Sequence, residues 1–560
     1  MTSPSIPGKP KPKSSWIFIL GALVIVLAIA ITVLAITWPG SDNGKPSADA
    51  ASGKAEAPQA SKARTTSGAE LTLGAKPGTP EKSRNREPRP TEAELPDDPS
   101  QIRELTPEQA KLLLAKFKEK VLSLDGLTTL DSDTAQVLAK FSQRGLSLNG
   151  LTTLDANTAK ALAESKVSDL SLNGLTALDA DTAQALAEFK GYALNLDGLI
   201  TLDADTAKAL AESKERDLSL NGLTTLDAGT AQALAVLKGR ALSLNGLTTL
   251  DAGTAQALAV FKGYALNLDG LTTLDVETAR ALAVFKGRQS NGYLSLNGLT
   301  TLDADTARTL VKLKGNVLLS LNSLTTLDAG TAKALAEYKG KNLMLQLSGL
   351  TKLDADAAKA LAEFKGRSLN LSGLTKLDAN TAKALAEFKG SSLNLSGLTK
   401  LDANTAKALA ELKGKTLYLQ LSGLITLDAD AAKALAEFKG PRLQLSGLTT
   451  LDANTAKALA KYKGYSLNLS GLTKLDINTA KALAEYKGNT ELEFEGAFLD
   501  LSGLTSLDAN AAKALAEYKG YSLNLSGLTT LDSDTAKALE EFKGKNLSLP
   551  DLYELIEVRN

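Results

Sequence analysis

The 560-residue chain has no cysteine and no histidine. That excludes disulfides, thiol nucleophiles, imidazole general bases and the usual zinc ligands together. The absence of cysteine fits either redox compartment and places the protein in neither. No charge predominates: lysine plus arginine and aspartate plus glutamate are 63 each, so net charge gives no reason to expect a nucleic-acid partner. Serine and threonine are plentiful, but no conventional triad forms without histidine. Glycines occur singly, never as a phosphate-cradling loop. The sequence therefore points away from an enzyme and calls for no cofactor.

Tryptophan is nearly absent, and its two copies flank one segment. Trp16 and Trp38 bracket an uncharged, almost wholly apolar run, 17–37. As a helix that run would be about 31 Å long at ~1.5 Å per residue, close to a bilayer core of about 30 Å. Lys9, Lys11 and Lys13 precede it without an acidic residue among them. The charge bias predicts a cytoplasmic tail (1–15), one transmembrane helix (16–38) holding the chain in the membrane, and a periplasmic or extracellular remainder. A cleaved signal peptide is the alternative, although its apolar core is usually only about 7–15 residues. Residues 39–100 hold nine of the sixteen prolines and few large apolar side chains, and so predict a disordered linker. After residue 100 only Pro107, Pro441 and Pro550 remain.

From there the chain repeats itself. An aspartate after a Leu-Thr-x-Leu phrase, or Leu-Ile-Thr-Leu in two units, recurs seventeen times from Asp131 to Asp532, mostly at 24-residue intervals. Each unit starts with Leu-x-Leu, as in Leu146-Ser147-Leu148, an alternation that turns two leucines to one face of a short strand. A glycine such as Gly150 follows in sixteen of the seventeen units, with Ser323 the exception, and suggests a bend needing bare backbone. Ala159, Leu162 and Ala163 then have the spacing of a helix with one buried stripe, and Asp155 stands where an N-cap belongs. The Lys-Gly pair after the helix suits the dipole's negative end and a left-handed C′ residue. Thr106-Pro107 predicts the first helix start. Neither strand nor helix can bury its apolar face alone, so the expected fold is an α/β solenoid over 101–549. It has parallel strands on one face, short helices on the other, about 17 repeats, and a charged cap at 550–560.

Leu-x-Leu-x-x-Leu-Thr-x-Leu-Asp followed by an alanine-rich helix resembles the bacterial leucine-rich repeats, especially the treponemal, BspA-like surface proteins. Leu151 and Leu175 stand where the common motif has asparagine. The resemblance implies an extracytoplasmic, non-catalytic binding or adhesion scaffold.

Candidate binding residues fall in three places. Lys352, Lys376 and Lys400 recur at one position in consecutive units and form a basic ridge, with Asp354, Asp378 and Asp402 two residues away to neutralise it. The outward strand rows, Ser147 and Ser171 to Asn370 and Asn394, offer hydroxyls and amides to a repetitive polymer such as a glycan. Insertions between helix and strand mark a third place, because solenoid insertions often map to a binding edge. Arg288 to Tyr293 adds four residues, and 489–498 adds eight with Glu491, Glu493, Phe494, Glu495 and Phe498. Met344 and Tyr418 sit in units two residues longer, read as lengthened strands. Together these predict a membrane-anchored scaffold that binds a protein or glycan partner. The alternative is a structural spacer without a discrete ligand.

Overall fold

The computed structural model describes residues 95–213, 216–313, 316–338, 344–414, 417–488 and 497–550. All belong to one body of the chain, Glu87–Asn560. Among these residues, eighteen β-strands alternate with eighteen α-helices, from the helix Pro107–Lys116 to the strand Asn546–Ser548. Each strand pairs in parallel with the next in sequence, giving one eighteen-stranded sheet. Register follows sequence identity: Leu122 pairs with Leu146, Leu146 with Leu170, Leu170 with Leu194. The expected α/β solenoid is therefore present.

The core consists of columns. Leu146, Leu148, Leu151, Ala159 and Leu162 are all buried, and their equivalents in the neighbouring units form the layers above and below. Removing one such leucine side chain costs about 2–5 kcal/mol. A further column carries a large residue just past the helix in most units, including Phe189, Phe261, Phe285, Phe364, Phe388 and Phe438. It continues as Tyr462, Tyr486 and Tyr518, with ring centroids 6.2–6.5 Å apart. Their hydroxyls donate to Gly440 O, Gly464 O and Ala497 O at 2.6–2.7 Å, so each buried phenol is satisfied by the preceding unit. Burial raises the pKa of all three.

All seventeen repeating aspartates are N-caps, as Asp155 illustrates: Oδ1 accepts the amides of Asn157 and Thr158 at 2.9 and 3.1 Å. The following threonine extends the cap. Thr254 Oγ1 lies 2.6 Å from Asp251 Oδ2 and 3.3 Å from Leu226 O of the preceding unit, tying that helix start to its neighbour.

The two glycine positions are set by close approach. A Cβ at Gly246 would lie 2.1 Å from Asn221 O and 2.6 Å from Leu223 O, so a side chain would push consecutive units apart. The Lys-Gly glycine has a reason other than the expected left-handed C′ cap. The helix Ala180–Ala187 ends with Glu188 in right-handed geometry. Gly191 comes later and passes over the Phe189 ring, 2.1 Å from where its Cβ would be. Positive-φ glycines among the described residues are Gly287 and Gly488.

The single-pass topology expected from the sequence is corrected. Described helices run from seven to ten residues, about 15 Å at most at 1.5 Å per residue. None is long and apolar enough to cross a membrane. The run at 16–38 on which that localisation rested lies outside the described residues, as do 39–94 of the expected linker and the cap at 551–560. The linker boundary also moves. Leu95 packs against the core, Ile102 is buried, and Asp98 caps a short 3-10 turn at Pro99–Gln101, so ordered structure begins before residue 101. The units expected to hold lengthened strands have ordinary three-residue ones, Met344–Gln346 and Tyr418–Gln420. The longer strands are Asn291–Ser295 and Asn316–Ser320.

Two outcomes test this packing. Gly246→Ala should destabilise the array by about 1–3 kcal/mol, an overpacking cost. Gly253→Ala, on a helix where other units carry Asn or Asp, should change stability by no more than about 1 kcal/mol, toward stabilisation. Urea midpoints of the two variants decide it; equal effects would refute the close-approach account.

Acid dependence follows from the caps. Hydrogen bonds from threonine and backbone amides hold Asp155, Asp227, Asp251, Asp303 and Asp452 below the usual carboxylate range. A depressed folded pKa contributes stability above the unfolded value of about 3.9 and loses it as pH falls through the folded value. Urea midpoints should therefore be flat above about pH 5 and drop steadily below pH 4. Asp251→Asn should blunt the drop, and an unchanged slope would count against the caps.

Candidate partner interface

The polar strand rows meet one another rather than solvent. The amide of Asn173 donates to Asn149 Oδ1 and that of Asp197 to Asn173 Oδ1, both at 2.9 Å. The chain of such bonds runs from Asp125 through Asn221, Asn245, Asp269 and Asn297 to Asn322. Ser147, Ser219 and Ser295 donate into the same ladder. In the second half the order of the two residues is exchanged, Asn370-Leu-Ser372 against Ser147-Leu-Asn149. The asparagine then accepts from its own unit: Ser372 N to Asn370 Oδ1 is 3.1 Å, and Ser396 N to Asn394 Oδ1 is 2.9 Å. In the first half these groups are largely consumed within the sheet, and in the second half the asparagine side-chain oxygens are.

Lys352, Lys376 and Lys400 lie exposed between strand and helix, as expected of a ridge. The neighbouring carboxylates cap helices: Asp354 Oδ1 accepts Ala357 N, and Asp378 and Asp402 accept the amides two and three residues on. Among the described residues no ion pair joins these lysines to them. The ridge is a solvated row of charges.

Variation concentrates at the leading edge of the sheet, where each chain segment passes from helix to strand. Arg288 and Asn291 form a tight turn there, with Gln289 and Ser290 both at positive φ, and Tyr293 follows in the strand. Toward the N-terminus, Arg240 lies over the Tyr192 ring at 5.1 Å, and Arg144 approaches Asp169 at 3.6 Å. Burial raises the pKa of Asp217, which accepts the Ala241 amide at 3.0 Å.

Arg216 is the outlier of this edge. Serine stands at 213 where most units have an aromatic, and the Arg216 side chain fills the vacated space, 2 % exposed. Its guanidinium lies 5.3 Å from the Phe189 centroid and donates to Leu186 O at 3.0 Å and Ala187 O at 2.7 Å, the negative end of the preceding helix. Burial lowers its pKa to about 10. Val167 does the same service beside Ser165.

The most developed stretch of the edge lies in the last units. Arg442 stacks on Tyr465, 5.0 Å from the centroid, and its Nε donates to the Tyr465 hydroxyl. Tyr465 meets Phe498 edge-on at 6.0 Å, and Phe498 tilts against Tyr521 at 5.1 Å. Lys545 covers Tyr521 at 5.7 Å. Tyr418, across from Arg442 in the sheet, donates to Gln444 Oε1 at 2.7 Å. The three central rings are half-buried, and Arg442 and Lys545 are exposed. Of the residues singled out in the sequence, Phe498 is at the centre of this cluster. Glu491, Glu493, Phe494 and Glu495 lie outside the described residues. Arg442, Tyr465, Tyr521 and Lys545 were missed as a site, because only strand pairing across 24 or 32 residues brings them together.

A concavity of about 840 Å³ lies at the helix ends of earlier units, lined by Lys333, Glu337, Lys359, Glu363, Lys365 and Glu387. Its charges alternate in sign and no buried polar group converges on it.

One parallel strand and one helix per unit, stacked in fixed register with leucines inward, define an α/β solenoid of leucine-rich-repeat type. Comparison with known protein families gives no match, and neither does comparison with curated proteins. Solved structures with some likeness include the leucine-rich-repeat protein LegL7 of Legionella pneumophila, at 19% identity and TM-score 0.33 over 45% of this chain and 90% of that one. The Rad7–Elc1 complex of yeast gives 18% and 0.32, over 57% and 89%. The Toll–Spatzle complex of Drosophila gives 15% and 0.32, over 77% of this chain and 54% of that one. At these values the class rests on the repeat geometry itself, and the BspA-like subtype stays a resemblance of sequence.

Arg216→Ala removes the guanidinium donor from Ala187 O and opens a void beside Phe189, while Leu186 O keeps the Phe189 amide. It should cost about 3 kcal/mol, read as a lower thermal midpoint. Arg144→Ala, at an exposed ion pair, should move it by less than about 1 kcal/mol. A neutral Arg216→Ala would show that the pocket is not structural.

Proposed function

We propose that this chain is a non-catalytic scaffold that binds a protein partner at the leading edge of its sheet, centred on Phe498. The observation that carries this reading is the Tyr465–Phe498–Tyr521 cluster bracketed by Arg442 and Lys545. Protein-binding hot spots are enriched in tyrosine, tryptophan and arginine, and gather in part-buried, well-packed patches. A glycan fits less well. Sugars stack on open ring faces, whereas Arg442 and Lys545 lie over Tyr465 and Tyr521.

The spacer reading keeps one supporting observation, the self-satisfied ladder of the sheet face, which leaves most of the surface without recognition groups.

The experiment is capture from extract of cells that express the protein, using the full chain, Phe498→Ala, and Lys376→Ala as a distant control. A partner held by the wild type and by Lys376→Ala should be weakened about 30-fold or more by Phe498→Ala, the scale of a hot-spot truncation of about 2 kcal/mol. Equal capture by all three would move the site away from the edge. If none retains a partner, the spacer reading replaces the scaffold.

A further inference from the structure

We infer that a row of side chains just past the helix ends is a contact surface for a second copy of this chain, paired across a two-fold axis at Val260. This surface is separate from the edge centred on Phe498. The ninth residue after each capping aspartate is exposed, and in all but three of the seventeen units it is glutamate or lysine. The three exceptions are consecutive: Val236, Val260 and Val284, which are 62 %, 57 % and 45 % exposed. The stretches 228–237 and 252–261 carry no charged residue at all, unlike the equivalent ten residues of every other unit. Gln232 and Gln256 stand there in place of the cation found at Lys208 and Lys333. Apolar residues scattered singly over a surface need no explanation, whereas a contiguous apolar patch rimmed by charge marks a contact.

The charges at the two ends of the patch say what covers it. Glu212 precedes the valines and Lys312 follows them, both exposed. In order the row is Glu212, Val236, Val260, Val284, Lys312, which is self-complementary when one copy runs against the other. With the axis at Val260, Val236 meets Val284 of the second copy, and Glu212 meets its Lys312 at both ends. The same patch then serves on both copies, as a two-fold contact requires. Other registers are worse. Parallel copies would set glutamate on glutamate and lysine on lysine. A shift of one unit would press Glu212 or Lys312 against a valine, burying a charge without its partner. One step further out the row is glutamate on both sides, at Glu188 and Glu337, which confines the attraction to the five units between them. Packed helices lie about 8–10 Å apart, so the charged ends stand roughly 32–40 Å from each other. A strip that long and about 10 Å wide covers roughly 400 Å², half the ~800 Å² per partner of a standard interface, which makes the pairing weak and concentration-dependent.

The test is sedimentation velocity on the full chain, from micromolar to hundreds of micromolar, at low ionic strength. The wild type should pass from monomer to dimer and stop there, because a two-fold contact closes on itself. Val260→Glu sets two carboxylates at the axis and should weaken the dimer by about thirtyfold or more. Glu212→Lys and Lys312→Glu each turn both terminal pairs repulsive, and each should weaken it about tenfold. An equimolar mixture of those two variants restores both pairs between unlike chains, and should dimerise within about threefold of the wild type. Phe498→Ala should have no effect, because the edge takes no part. Circular dichroism melts separate loss of contact from loss of fold. The mixture does so independently, since it contains the same two chains that fail alone.

A wild type that stays monomeric throughout would overturn the inference. Association that Val260→Glu leaves unchanged would also overturn it, by placing the contact on another part of the chain. A mixture no tighter than its separate components would deny the two-fold pairing. None of these outcomes touches the Phe498 edge, which the capture experiment decides by itself.

Discussion

Everything in this molecule depends on how closely one unit's backbone lies on the next. Gly150, Gly174, Gly198 and their equivalents leave no room for a Cβ between the turn and two carbonyls of the preceding unit. That contact sets how closely consecutive units stack. With the units so stacked, equal residues fall into columns: leucine on leucine in the core, aspartate at the start of each repeating helix, an aromatic beyond most helix ends. The near-identity of the repeats is thus a packing requirement as well as a product of duplication. A unit that departs from the pattern must restore the column with something else, as Arg216 and Val167 do beside their serines.

The local half of this structure was legible in the sequence because its causes are local. Leu-x-Leu alternation, the i, i+3, i+4 alanine and leucine stripe, and the aspartate cap each act within about five residues, and each is present where expected. The Thr106–Gln109 capping box is another case. What escaped depended on contacts 22 to 32 residues apart. The Asn149–Asn173 ladder is one such contact, and the tyrosine hydroxyls that reach back to Gly440 and Gly464 are another. The Lys-Gly glycine was assigned to helix termination, when its cause is the ring of Phe189 beneath it. Signals for some of these did exist. Serine at 165 and 213 breaks the aromatic column, and the order Ser-Leu-Asn changes to Asn-Leu-Ser between the units at 320 and 370. Neither has a meaning until the period is folded into a stack.

That exchange divides the array by the kind of adhesion it uses. From Asp125 to Asn322 each unit holds its neighbour through a side-chain oxygen accepting the next backbone amide. Beyond it, the asparagine oxygen accepts from its own unit while its amide group reaches across, as from Asn370 to Gln346 Oε1 and from Asn468 to Asp500 Oδ2, and the buried Tyr462, Tyr486 and Tyr518 stack and donate to carbonyls of the unit before. In a one-dimensional stack, stability is a sum of intrinsic and nearest-neighbour terms, so a change in either coupling is felt locally before it is felt globally. The two halves solve the same coupling problem with different atoms.

The same constraint explains where recognition can reside. Residues that stack are not free to vary: changing a leucine, a glycine or a capping aspartate damages two interfaces at once. The sheet face spends its polar groups on itself. What remains is the leading edge, where the chain has left the helix and has not yet entered the ladder. A side chain there can change without moving either neighbour, and insertions at 288–293 and 489–498 enter without altering the register of Leu294 on Leu266 or Leu499 on Leu467. A single edge residue is a weak contact. Strand pairing multiplies it, because residues 23 to 33 apart in sequence become neighbours about 5 Å apart. The Arg442–Tyr465–Phe498–Tyr521–Lys545 row is what such an edge becomes when successive units contribute different chemistry to one line. A scaffold built from one repeated phrase can therefore acquire a specific surface while its core stays uniform.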